Sequence, residues 1–308
     1  MSIRSLDLLD LPTIYRYRGQ ALSLDTARAL TRGNPLGAIG MLAYMNPQRH
    51  VYSAVSAEDG TTLLGGIIQN NGDSFARLMY LAPTSGLEHS SLPGLIDNLS
   101  AEAGSWGAFH VLAELDESSG VFAALRRAGF SVYAGQRMWD VTPIGNVTAH
   151  PAWPRARSVD LPAIQSLHHQ IVPPLLQPIE PAPRRASGFI CSDGGLCYAS
   201  TSTGVHGVVV FPLIHPDAKD AAAKLSSLLG CLPNRAGRPV YVCVRTYQAW
   251  LEHVLEDLGA KPGPQQAIMV KHMTRLVKEE QAVRARQPAG VSVQPSRVSR
   301  IQEKKQNP

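Results

Sequence analysis

Charge is scarce in this sequence: Asp, Glu, Lys and Arg make up 17% of its 308 residues, against about a quarter of a typical soluble domain. Chains that stay unfolded throughout are rich in charge and poor in apolar residues. With 44% hydrophobic residues, this chain has the material for packed cores. Long apolar runs are missing too, none approaching the roughly 18–20 residues that span a bilayer. The opening MSIRSLDLLDLPTIYRYR has acids at Asp7 and Asp10 and no long apolar stretch, so it does not read as a secretory signal. The expectation is a soluble, cytoplasmic protein with no membrane partner. Aromatics, at 6%, form no stripe with basic neighbours, which argues against a stacking platform for single-stranded nucleic acid. The four cysteines, Cys191, Cys197, Cys231 and Cys243, include no C-x-x-C, and no His pair stands at finger spacing, so a structural zinc site is not indicated. Walker loops, G-x-S-x-G and H-E-x-x-H are absent. Adjacent His168 and His169 point about 100° apart on a helix, which predicts one packed ring and one exposed ring rather than a metal chelate.

The net charge of +5 is confined to one end. From Arg275 onward there are eight Lys and Arg against three Glu, which accounts for the whole excess and leaves residues 1–274 formally neutral. A neutral body carries no electrostatic footprint for nucleic acid. The tail holds Pro288, Pro295 and Pro308 and only scattered apolar residues, too few to offset an ordering cost of about 1–2 kcal/mol per residue. Residues 275–308 are therefore expected to be a basic, disordered tail.

An internal repeat organises the rest. Asp10-Leu11-Pro12-Thr13-Ile14 recurs as Asp160-Leu161-Pro162-Ala163-Ile164, each opening a helical pattern in which Asp can cap the first turn and Pro sits where its missing N–H is not needed. The run at 121–129 echoes 251–259, both amphipathic and stopped by a glycine, Gly129 or Gly259. An apolar strand precedes each, at 109–115 and 240–244, and a last strand follows each, at 136–141 and 266–270. The Pro-bearing stretch around Pro143 and Pro151 suits a linker. This predicts domains at 1–142 and 153–274 joined by a linker at 143–152, the second shorter by about 20 residues in its middle. Within the first, the pattern predicts a helical stretch at 24–45, strands at 50–57, 62–70 and 74–81 with turns at Gly60 and Gly72, and a helix at 92–103. Within the second it predicts strands at 187–191, 196–201 and 207–214 and a helix at 219–229. The fold class is α/β with mixed sheets flanked by helices.

These features resemble the GNAT acyltransferase superfamily, arranged as two tandem domains over residues 1–274. The Asp-Leu-Pro helix start, the helix ending in Ala128-Gly129-Phe130, and His215-Pro216-Asp217 closing a strand carry the resemblance. It implies acetyl-CoA as cofactor, with the pyrophosphate received by a glycine-bearing loop and the following helix start. In the first copy that loop is Pro83 to Ser91, and the resemblance places Leu81, Ala82, Gly86, Ser90 and Ser91 along the cofactor path. In the second copy Lys219 begins the loop, but Ala222 and Lys224 stand where glycines belong. Glu114 is the candidate proton acceptor, with Asp116 and Glu88 behind it. Leu125 and Leu255 fall where relatives place an acid tyrosine, with Tyr133 and Tyr247 nearby in sequence. The implied activity is transfer of an acyl group to a small-molecule amine or peptide. The alternative is a non-catalytic GNAT-fold module that binds a ligand or a protein.

Overall fold

In the computed structural model, which describes residues 2–37, 46–58, 60–144, 152–192, 196–232 and 237–273, the repeated Asp-Leu-Pro opens a helix twice. These are α1 (Leu11–Tyr17) and α5 (Leu161–Ile171), each with proline in its first turn. Neither aspartate caps its helix as expected. The carboxylates reach back instead, Asp10 accepting from the N–H of Asp7 (2.9 Å) and Asp160 from that of Arg157 (2.7 Å). Each aspartate thus closes the tight turn leading into its helix, and the device is the same in both halves.

The first half runs β1 (Ser2–Ser5), α1, β2 (Leu22–Ser23), α2 (Thr26–Arg32), β3 (Arg49–Glu58), β4 (Thr61–Asn70), β5 (Phe75–Ala82), α3 (Leu92–Ser105), β6 (His110–Asp116), α4 (Val121–Arg127) and β7 (Ser131–Asp140). The second runs α5, β8 (Phe189–Ile190), β9 (Cys197–Thr203), β10 (Val208–Ile214), α6 (Ala221–Cys231), β11 (Val240–Arg245), α7 (Leu251–Asp257) and β12 (Lys261–His272). Gly60 and Gly72 turn the β3–β4 and β4–β5 hairpins at φ +77° and +89°. Gly129 and Gly259, at +90° and +83°, end α4 and α7. There the N–H groups of Phe130 and Ala260 fold back onto Leu125 and Leu255 carbonyls, a left-handed helix stop that only glycine adopts without strain. Of the helical stretch anticipated at 24–45, α2 fills residues 26–32, and 38–45 lie outside the described residues. So do the basic tail and most of the linker.

All the strands belong to one mixed sheet, in the order β1-β3-β4-β5-β6-β12-β7-β11-β10-β9-β8, with β2 attached to β5. Two separate sheets had been the expectation. Instead each half lends its last strand to the other: β12 lies against β6, and β7 lies against β11. The two exchanged strands pair antiparallel at the centre, where Gln136 and Gln266, 130 residues apart, stand opposite one another and share a hydrogen bond of 3.0 Å. The cores record the exchange. Ala267 and Met269 of β12 are buried beneath α3 and α4 with the first half's core, and Trp139 of β7 is buried beneath α6 and α7 with the second's. Each fully buried large apolar side chain contributes about 1.5–3 kcal/mol, so neither half keeps a complete core alone. Residues 1–274 accordingly cluster as one compact unit. No described helix is long and apolar enough to cross a membrane.

Candidate functional site

In open α/β sheets, ligands gather at the carboxyl ends of parallel strands, where diverging strands leave main-chain donors and acceptors uncovered. Each half has one parallel pair. β5 and β6 pair only at Phe75↔His110, Ala76↔Val111 and Arg77↔Leu112, and β10 and β11 only at Val208↔Val240, Val209↔Tyr241 and Val210↔Val242. Beyond those rungs the two pairs part. An extended arm bearing amides, such as the pantetheine of CoA, suits an edge of this kind because it can add to the strand as another strand would.

In the first half the chain itself fills that edge. Leu22 and Ser23 pair with Leu81 and Tyr80. Leu24 then bridges the parted strands, its N–H donating to Met79 O (3.0 Å) and its carbonyl accepting from the Glu114 N–H (2.9 Å). Its side chain is 1% exposed and packs into the first core. Of the residues expected along a cofactor path, Leu81 and Ala82 are fully buried, with Leu81 held by Leu22 on one side and Gly65 on the other. Gly86 is required by packing: a Cβ there would lie 2.7 Å from Leu63 Cδ2. Ser91 is buried with its hydroxyl 2.8 Å from His89 Nδ1, and Ser90 is exposed. The expected residues are neighbours, but their strand edge is already taken, and this half does not fit a CoA arm.

The second half closes its edge with one side chain. Gln248, 2% exposed, lies just before α7. With its amide nitrogen turned to the strand, it donates to Pro212 O (3.0 Å) and accepts from Ile214 N (3.2 Å). An amide therefore already occupies this edge as a two-point partner, and the edge fits the amide of a pantetheine arm. The adjoining helix start is less welcoming. Asp220, at φ +54°, precedes α6 in a left-handed conformation and makes no side-chain cap. Its carboxylate stands where a polyphosphate would approach. Lys219 is exposed beside it, and Ala222 is exposed on the first turn of α6.

Glu114, the expected proton acceptor, is 4% exposed and engaged on every side. It accepts from Arg77 Nη1 (3.0 Å), the Thr26 N–H (3.0 Å) and Gln136 Nε2 (3.1 Å). Gln136 in turn accepts from Arg245 Nη1, whose other nitrogen pairs with Glu180 at 2.9 Å. Glu180 also accepts from the Tyr247 hydroxyl at 2.8 Å. This network crosses from one half to the other over the exchanged strands, and the second-half end of it borders a cavity of about 210 Å³. Arg77, His168, Glu180, Arg245 and Tyr247 supply the cavity's polar lining, and Phe211 and Leu213 part of its apolar wall. Burial raises the Tyr247 pKa, and the neighbouring Glu180 raises it further, so the hydroxyl keeps its proton at neutral pH. Burial is the largest influence on Arg245 and opposes its charge, but Glu180 together with Cys243, Glu114 and Tyr247 outweighs it and holds the guanidinium charged. Asp116 accepts from Gln266 at 2.9 Å, and Glu88 is exposed. Leu125 and Leu255 are both fully buried in the two cores, away from any chemistry.

Sequence reasoning missed Arg77, Glu180 and Arg245 and passed over His168 and Tyr247. Arg245, a charge ending the apolar run Val240 to Val244, was the one legible signal. Glu180 lies in a Pro-rich stretch without periodicity. As anticipated, His168 is buried and His169 exposed. Cys191, Cys197 and Cys243 are buried free thiols. Among the described residues no group of three His, Cys, Asp or Glu could hold a metal.

No protein-family model matches this sequence, and no curated protein is significantly similar to it. Solved structures are similar in fold. A GCN5-related N-acetyltransferase from Sphaerobacter thermophilus superimposes with a TM-score of 0.52 at 15% identity, covering 88% of this chain and 95% of that one. A tandem GNAT protein from the clavulanic acid biosynthesis pathway gives a TM-score of 0.50 at 14% identity, covering 89% and 99%. Both superpositions take in both halves. With its two related halves and their parted parallel strands, this chain has the tandem GNAT fold.

Proposed function

We propose that this chain is an acyl-CoA-dependent N-acyltransferase with one working site, on the second half. The observation that carries the reading is the cavity lying along the parted β10–β11 edge, with Pro212 and Leu213 on one side and Cys243 and Arg245 on the other. Pro212 O and Ile214 N would hold a pantetheine amide once Gln248 swings aside, with Lys219 and the first N–H groups of α6 toward the phosphates. When bound, acetyl-CoA supplies an acyl thioester, whose acyl carbon passes to the amine nitrogen as the C–N bond forms and the C–S bond breaks. The amine then loses one proton, which passes to solvent water, and the leaving sulfur gains one. Tyr247, held protonated inside the cavity, is placed to donate once its O–H turns from Glu180 to the sulfur. Glu180 orients that hydroxyl while its own charge is balanced by Arg245. The first half, its edge filled by Leu24, serves as scaffold and contributes Arg77 to the cavity wall.

The test is calorimetry of the full chain with CoA and with acetyl-CoA. One site per chain is expected. Absence of heat at millimolar ligand sinks the enzyme reading and favours the second one, a non-catalytic GNAT-fold module. That reading draws on the two capped edges and on Leu125 and Leu255.

A further inference from the structure

The cavity's lining is unbalanced in charge. Arg77, Arg245 and Glu180 all line it, Arg245 paired directly with Glu180, while Glu114, the ion-pair partner of Arg77, is not part of the lining. Arg77 spends one N–H on Glu114 and lies over the Phe75 ring, 5.4 Å from its centre. A guanidinium has five N–H donors in a planar fork, and among the described residues no other group of the chain engages the rest. Opposite in character is His168, 5% exposed on α5. Nδ1 of its ring is buried with no partner. Burial lowers its pKa, so the ring is neutral. A neutral imidazole that donates through Nε2 leaves Nδ1 as a bare acceptor. Arg77, with donors to spare, and the ring of His168, with an orphaned acceptor, thus line one space of about 210 Å³, below the usual range for drug-sized ligands.

We infer that this cavity takes a small molecule bearing both a carboxylate and an amine, such as a short aliphatic amino acid, with the carboxylate on Arg77 and the amine on Nδ1 of His168. Arg recognises carboxylates through two parallel N–H bonds, which a point charge cannot reproduce. The amine fills a buried acceptor that the fold leaves unsatisfied. This assignment rests on the acyl-transfer reading for the ligand's role as acceptor, and it makes Arg77, from the half without a cofactor edge, the residue that selects it.

The experiment is calorimetry of the full chain, without cofactor, against alanine, valine and leucine, each beside its decarboxylated amine and its deaminated acid. At least one amino acid should bind tenfold or more tighter than either truncated counterpart. Arg77→Lys keeps a cation beside Glu114, so folding is spared, but it should erase at least fivefold of the preference for the carboxylate. His168→Leu should weaken the amino acid and the amine while leaving the acid unchanged. The inference is overturned if the decarboxylated amine binds as tightly as its amino acid, if Arg77→Lys changes nothing, or if no member of the three series binds at millimolar concentration. Heat from CoA without heat from any amino acid overturns this inference and leaves the acyl-transfer reading standing. The reverse pattern retains the binding site and removes its assigned role.

Discussion

The first half's parted strands and the second's begin alike, each parallel pair held by three rungs before it opens, yet they are closed by different means. The first is closed by main chain: Leu22, Ser23 and Leu24 add to β5, and Leu24 also bonds to β6. The second is closed by the amide of a single glutamine. A strand built into a core leaves only when the core opens, whereas a side chain leaves by rotation about its own bonds, on a far shorter timescale. One duplicated frame therefore holds one edge closed by a strand built into a core and one closed by a single side chain.

The largest expected effect breaks that comparison directly. Leu24→Ala removes a buried side chain from the first core and should lower the unfolding free energy by about 2–5 kcal/mol. Gln248→Ala removes two hydrogen bonds beside a cavity that water can enter, and should cost about 1 kcal/mol. Urea midpoints of the two variants test this, and equal losses would mean that the two closures are equivalent.

Next in size is the response to CoA. Gln248→Ala removes the competitor on the β10 edge and should raise affinity about three- to tenfold, the worth of one or two hydrogen bonds. Leu24→Ala should leave the stoichiometry at one. Two sites per chain in the Leu24 variant would show that the first half is blocked only by that side chain.

The helix ends, the hairpins and the parallel strands were legible in the sequence because each has a local cause: glycine at positive φ, proline in a first turn, or an unbroken apolar strand. The repeat was legible for the same reason, down to Gln136 and Gln266, which begin the two last-strand patterns and meet at the centre of the sheet. The exchange of last strands was not. Sequence patterns specify that β7 and β12 are strands with one face in a core, but both halves offer the same kind of neighbour, and nothing local distinguishes own from other. The proposed choice of half rests on residues that no pattern singles out. Gly86, Ser90 and Ser91 looked suited to phosphate, whereas the deciding residues, Leu24 and Gln248, are remote in sequence from the edges they close.

Asp220 offers a smaller test on the second half. Its left-handed backbone, φ +54°, costs about 1 kcal/mol for a residue with a Cβ, and its carboxylate has no capping bond. Asp220→Gly should raise stability by about 0.5–1 kcal/mol. It should also strengthen CoA binding severalfold, with the gain shrinking as salt screens the phosphates. Unchanged affinity at low salt would place the phosphates elsewhere.

Acid should weaken both halves through one histidine in each, half-buried in the first and buried in the second. Burial lowers the pKa of His110 on β6, with His272 adding to the effect, and burial lowers that of His168 on α5. Above about pH 6.5, the ordinary histidine value, both rings are neutral folded or unfolded and contribute nothing to pH dependence. As pH falls below it, the unfolded chain takes up protons that the folded one refuses, and stability is lost toward the lower folded values. Urea midpoints at pH 7.5 and 5.5 should differ, and the gap should narrow in His168→Leu. An unchanged gap would assign the acid sensitivity to other groups.

The smallest effect concerns Cys243, on β11 beside the second half's parted edge. Its thiol is 3% exposed, lies 3.6 Å from Gln136 Oε1, and is pushed up to about 12, chiefly by burial. At pH 8 only about one thiol in ten thousand is then ionised, and the thiolate is the reactive form. Cys231, half-buried at the end of α6, is the more accessible thiol. Iodoacetamide at pH 8 should therefore label Cys231 and leave Cys243 untouched, as read by peptide mass mapping over an hour. Labelling of Cys243 at the rate of Cys231 would mean that the β10–β11 edge opens by itself in the free protein. Gln248 would then be no closure, and the contrast with Leu24 would become one between a sealed edge and an open one.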